Sequence, residues 1–172
     1  RAKLLEVRNL FIQVNKGGLK EYNFSGANLS GVNLQGADLY MANLAGANLQ
    51  GANLQWAVLE GADLRGANFD ARTTLPSDGF KIVTNSSGRE ILVGPGLNLK
   101  GVDLQSADLR GARLEQANLA GVKFDENTIL PVGYQIVTNS SGEEILVGPG
   151  LNLNGANLEG ADLREANLRE AD

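Results

Sequence analysis

The chain has no cysteine and no histidine among its 172 residues. Without cysteine there is no disulfide framework and no thiolate metal site. Without histidine the commonest general base and metal ligand is missing. No apolar run approaches the roughly 18 residues that a membrane-spanning helix needs. The formal net charge of −5 removes the basic footprint expected of a nucleic-acid binder. Tryptophan and methionine occur once each, so any exposed one stands out. The length allows one ordinary domain or one elongated solenoid.

What the chain does have is glycine, 22 residues of it, in a fixed place. From 24 to 69 every fifth residue is Leu or Phe, from Phe24 through Leu44 and Leu54 to Phe69. The same frame returns at Leu99, Leu104, Leu109, Leu114, Leu119 and Phe124. It returns again, one residue out of phase, at Leu153, Leu158, Leu163 and Leu168. Taking each Leu or Phe as a centre gives 20 repeats, with Ala two residues earlier in 14 of them. Asn or Asp precedes the centre in 17, the exceptions being Val58, Arg113 and Lys123; Gly closes 12.

A period of five is neither 3.6 nor 2, so neither an ordinary helix nor an ordinary strand explains it. A short fixed repeat indicates a solenoid. Two apolar residues separated by one polar residue face the same side of an extended segment. Gly, with Asn or Asp nearby, suits the turn that must follow. If each repeat turns the chain by about a right angle, four repeats close one square coil. Coils then stack like parallel strands, roughly 4.8 Å apart.

The runs GANLSGVNLQGADL and GANLEGADLREANL resemble the pentapeptide-repeat family, whose signature is Ala-(Asp/Asn)-Leu-X-X. The resemblance implies an all-β fold, a right-handed quadrilateral parallel β-helix. Some members of that family look like duplex DNA and bind DNA gyrase. The pattern LP-x-G-[FY] followed by IVTNSSG-x-EILVGPGLNL resembles inserts in cyanobacterial members.

Taken in order, residues 1–18 lack the repeat and read as an N-terminal cap. Leu4, Val7, Phe11 and Val14 recur at helical spacing and Gly17 and Gly18 follow, so a short capping helix is expected. An N-terminal strand competes, because residues 10–14 are strand-like. Residues 19–71 form repeat block 1. Residues 72–98 form a hairpin insert, with β-rich runs at 80–84 and 90–93 around Asn85-Ser86-Ser87-Gly88. Residues 99–126 form block 2, residues 127–152 a duplicated hairpin insert and residues 153–172 block 3, all in one continuous solenoid. Phe69 and Phe124, the last centres before each insert, suggest a local widening. The last block ends inside a repeat with no cap sequence, which fits either a trimmed chain or a terminal coil that meets a partner; pairing of two such ends would give a C2 homodimer.

Catalysis, cofactor binding and metal binding have no candidate residues. Asp125 with Glu126, and Glu143 with Glu144, are neighbours on an outer face and read as solvated. The Gly-rich segment at 94–101 lacks the ending of a phosphate loop. Asn85 and Asn139 match the glycosylation pattern but sit in expected turns. The candidate partner-binding residues are Tyr40, Met41, Trp56 and Val58, all at outward positions; exposed Trp and Tyr are common interface anchors. Four repeats to a coil place Trp56 over Gly36 and Glu60 over Tyr40.

The expected function is a non-catalytic scaffold that presents rod faces or ends to a protein partner, without direct nucleic-acid binding and without a membrane span. The alternative is a DNA-mimicking inhibitor or protector of DNA gyrase, which needs a sustained anionic stripe. Asp38, Asp63, Asp103, Asp108 and Asp162 supply acid, but Arg65, Arg110, Arg113, Lys123, Arg164 and Arg169 interrupt it. The chain reads as cytoplasmic, although a start at Arg1 is also compatible with a removed signal peptide.

Overall fold

The computed structural model describes residues 18–171. The expected cap at 1–18 therefore lies almost wholly outside the described residues, of which only Gly18 belongs to it. Among the described residues there is no α-helix, and no helix long and apolar enough to cross a membrane.

The repeats wind into a β-helix solenoid. Parallel bridges join Asn23 to Asn43, Asn28 to Asn48, Asn33 to Asn53 and Asp38 to Val58. The members of each pair are four repeats apart, so four repeats make one coil. The bridges define four faces. Face 1 carries Asn23, Asn43, Asp63, Asn98 and Asn118, and face 2 carries Asn28, Asn48 and Asn68, then Asp103 and Lys123. Face 3 carries Asn33, Asn53 and Thr74, then Asp108 and Ile129; face 4 carries Asp38 and Val58. Centre residues and their Ala partners point inward. Leu34, Leu39, Leu44, Leu49 and Leu54, with Ala37, Ala42, Ala47 and Ala52, are completely buried in one continuous core.

The repeat around Leu44 shows why each position is chosen. The Ala42 N–H donates to Leu39 O (3.0 Å), closing the corner turn. Asn43 N donates back to Tyr22 O (3.0 Å), and Leu44 N donates forward to Asp63 O (2.8 Å). Asn43 Oδ1 accepts the Ala45 N–H at 3.0 Å. Gly46 N donates to Arg65 O at 2.9 Å. All five N–H groups are satisfied, three between coils and two locally, as a buried backbone requires. The Asn or Asp before each centre thus serves as a side-chain acceptor that mimics a turn. The closing residue holds φ near +65° in Gly26, Gly36 and Gly46, a conformation open to Gly at little cost.

The inserts are antiparallel hairpins. Strand β1 (Lys81–Thr84) pairs with β2 (Glu90–Val93), and β3 (Gln135–Thr138) pairs with β4 (Glu144–Val147). The solenoid does not stop at residue 71. Asn53 bridges Thr74 and Asp108 bridges Ile129, each one residue more than four repeats. Leu75 and Leu130 therefore act as further centres, reached by a six-residue step.

Asp70 and Thr73 absorb the extra residue. Asp70 Oδ1 takes the Gly51 N–H at 2.8 Å, replacing the usual carbonyl, and the Thr73 hydroxyl donates to Leu49 O at 3.1 Å. Asp125 and Thr128 repeat the arrangement: Ser106 N donates to Asp125 at 2.7 Å, and Thr128 Oγ1 donates to Leu104 O at 3.2 Å. The Phe69 and Phe124 side chains are buried at these steps.

The first hairpin lies between the third and fourth coils. Face 1 still stacks directly through the Asp63–Asn98 bridge. On the other faces the insert supplies the contacts: Arg113 N donates to Gly79 O, and Lys81 Nζ donates to Asp108 O and Arg110 O. Val83, Leu92 and Val93 join the core. A Cβ at Gly94 would lie 2.3 Å from Phe80 Cδ1, and one at Gly148 2.2 Å from Tyr134 Cδ1. Both glycines make room for the aromatic ring at the hairpin base.

Candidate protein-interaction site

The four sequence candidates gather around face 4. Val58 stands on the face itself, bridged to Asp38. Trp56 occupies the corner that leads into it, and Tyr40 and Met41 lie at its exit one coil earlier. Gly36 N donates to Gln55 O and Met41 N to Glu60 O, so the expected stacking of one coil on the next is present. Trp56 is 66% exposed, Met41 52% and Val58 47%. Tyr40 is half-buried, and the ammonium of Lys20 sits 5.8 Å from its ring centre while pairing with Asp38 at 3.2 Å.

Local physics disfavours two of these residues. Trp56 holds φ at +59° and Met41 at +53°, the left-handed conformation that costs an L-residue about 1–2 kcal/mol. Val58 brings no oxygen to the turn, although Asn or Asp does so in most repeats, and it exposes an apolar side chain. Seven non-glycine residues have positive φ, and all occupy this same closing position: Glu21, Met41, Trp56, Ser106, Gln116, Glu165 and Glu170.

Sequence reasoning missed three further exposed hydrophobic residues: Tyr22 (44%), which the repeat pattern places in the inward row, Ile129 (43%) and Val132 (100%). Ile129 belongs to face 3 through its bridge to Asp108, and Val132 follows where the chain passes from face 3 to face 4. The available signal was Thr-Ile-Leu continuing the repeat with one added residue. The C-terminal coil leaves Leu153, Leu158 and Leu163 half-buried and Leu168 37% exposed.

Most of the acidic positions before the centres are locally neutralised, whereas Asp103 makes no ion pair among the described residues. Arg65 forms a bidentate pair with Asp63 (2.8 and 2.5 Å), and Arg110 with Asp108 (2.9 Å at both nitrogens). Arg164 pairs with Asp162, and Arg72 with Asp70. Hydrogen bonds from the Arg two residues on hold Asp63, Asp70, Asp108 and Asp162 below the ordinary carboxylate range. Desolvation pushes Asp125 up, but hydrogen bonds from Ser106, Thr128 and Asn127 outweigh it and lower its pKa.

Asn85 and Asn139, the glycosylation-pattern residues, are buried. Their amide nitrogens donate to Asp103 O (3.1 Å) and Asn157 O (2.8 Å), so they serve the turn. Among the described residues no three acidic side chains gather as metal ligands would.

A sequence model of the family described as Pentapeptide repeats matches eight copies, over residues 19–40, 37–71, 98–126 and 150–172. The chain is similar in structure to alr5209, a pentapeptide repeat protein from Nostoc Pcc 7120. Identity is 28% over 77% of this chain and 87% of that one, with a TM-score of 0.37. It is also similar to Rfr23, a pentapeptide repeat protein from Cyanothece 51142. There identity is 24% over 73% of this chain and 99% of that one, with a TM-score of 0.25. Both come from cyanobacteria. No curated protein matches the chain.

Proposed function

This chain belongs to the pentapeptide-repeat family, and from that premise we propose that it is a non-catalytic scaffold whose face 4 docks a protein partner in the cytoplasm. The winding is right-handed. One observation carries the docking reading: Trp56 is two-thirds exposed in a left-handed corner where most repeats use Gly. An outlier of this kind is kept against a conformational cost, which supports a functional role. Val58 and Met41 continue the apolar surface across the face to its far corner. The partner accordingly presents an apolar pocket for an indole. A DNA-mimicking role against gyrase is disfavoured by the Arg–Asp pairs, which break the anionic stripe into neutral units.

The test is a photo-crosslinking residue at position 56, with a control at exposed position 50. A partner crosslinked at 56 and not at 50, and lost in a Val58→Asn background, supports the reading. Equal crosslinking at both positions overturns it. Gyrase inhibition by the purified chain would overturn it in favour of mimicry.

A further inference from the structure

The two hairpins are near copies. Residues 82–99 and 136–153 are identical except at one position, where Arg89 is replaced by Glu143. That position lies at the tip of each hairpin, and both residues are exposed. The tips share the same turn bonds, and in the second Asn139 Nδ2 also donates to Glu143 Oε2 at 3.2 Å. Asn85 Oδ1 accepts the N–H groups of Ser87 (3.1 Å) and Arg89 (3.0 Å), and Ser86 N donates to Gln105 O at 2.7 Å. Asn139 Oδ1 accepts from Ser141 and Glu143, both at 2.9 Å, and Ser140 N donates to Glu159 O at 2.7 Å. Two equivalent rigid turns therefore present opposite charges.

The surroundings reinforce the difference. The cleft beside the first tip is lined by Arg65, Arg89 and Lys100 against Glu90 and Asp103. Arg65 is already paired with Asp63, but Arg89 and Lys100 make no ion pair among the described residues. The corresponding cleft beside the second tip has Glu143 and Glu144 and no basic residue. Ala120 and Asn154 stand where the first cleft has Arg65 and Lys100. Lys123 lines the groove on the other side of the second tip.

We propose that these tips pair two copies of this chain side by side and antiparallel. A two-fold axis across the rod, midway between the hairpins, brings Arg89 of each copy to Glu143 of the other. The contact closes on itself, as an isologous interface must. A parallel, unstaggered pair would instead set Arg89 against Arg89 and Glu143 against Glu143. Complementary charges fix register and orientation in this way even where they add little affinity. The tips lie over face 2, where Ser86 N and Ser140 N bond Gln105 O and Glu159 O, and Arg89 Nη2 reaches back to within 2.8 Å of where a Gly66 Cβ would stand. Trp56 occupies the corner between faces 3 and 4, so this pairing leaves the proposed docking face free.

Sedimentation velocity on the full chain tests the proposal at low and high salt. We expect a species of twice the chain mass at about 20 mM salt that dissociates at about 500 mM, as screening shortens the reach of the charges. Arg89→Glu alone and Glu143→Arg alone each place two like-charge contacts in the pair, weakening it about a hundredfold. Mixing the two single variants restores the pair, because every contact is then complementary. A wild type that stays monomeric at low salt, single variants that pair normally, a mixture that fails to pair, or growth beyond two copies would each overturn it.

Discussion

Replacing Leu44 probes the solenoid at a fully buried centre with coils on both sides. Leu44 is completely buried, flanked by Ala42 and Ala47, which are also inaccessible. Backbone bonds to the coils on both sides hold its repeat: Leu44 N to Asp63 O, and Asn43 N to Tyr22 O. The alanines are too short to fill a void, and the ladders keep the coils from closing over it. Leu44→Ala should therefore fall in the upper part of the range for such truncations, about 3–5 kcal/mol. Leu44→Asp loses the same packing, worth about 2–3 kcal/mol for burial alone. It also buries a carboxylate with no partner, adding several kcal/mol. That sum, about 5–8 kcal/mol, approaches the whole stability of a typical domain. Asn43→Asp, one residue away, keeps an oxygen to accept the Ala45 N–H and should change stability by less than about 0.5 kcal/mol. Urea denaturation followed by circular dichroism measures all three. A Leu44→Asp chain that unfolds at the wild-type midpoint would refute the inward assignment of the centres.

Other expectations rest on separate features. Gln116 holds φ at +59° with an exposed side chain; Gln116→Gly should raise stability by about 0.5–1 kcal/mol, since relief of the left-handed cost exceeds glycine's added entropy in the unfolded chain. A lower thermal midpoint would count against this. Gly94→Ala puts a methyl into the Phe80 ring and should cost about 1–3 kcal/mol, whereas Gly88→Ala meets no atom within 4 Å and tests only the strain of its φ of +76°. If Gly94→Ala is the milder of the two, the ring contact is not what demands glycine. Asp63, Asp70, Asp108 and Asp162 have folded-state pKa values lowered by their arginines. Their contribution is present above the unfolded value of about 4 and is lost as pH falls through the folded values. Denaturation midpoints should therefore drop below about pH 4, and a midpoint unchanged from pH 6 into the acid range would contradict the pairing.

The period of five was a local property, and the sequence carried it completely. Each repeat states its own inward pair, its turn acceptor and its corner, because those roles depend on neighbours within a single repeat. The buried centres, the alanine row and the two hairpins were therefore readable from the chain alone. The six-residue steps at Leu75 and Leu130 were not. Their extra residue is tolerated because Asp70 and Asp125 reach the N–H of a corner on the preceding coil, a contact invisible to local pattern. The bidentate Arg–Asp pairs join near neighbours in sequence. Even so, only the folded corner turns both side chains outward at bonding distance and so breaks the acidic stripe locally. Stacking of coil on coil then decided which side chains share a face. It gathered Tyr40, Met41, Trp56 and Val58 around one side and set the hairpin tips over face 2. The sequence determines what each repeat must be, whereas the tertiary structure decides what each repeat meets, because backbone hydrogen bonds between coils join residues that the chain keeps far apart.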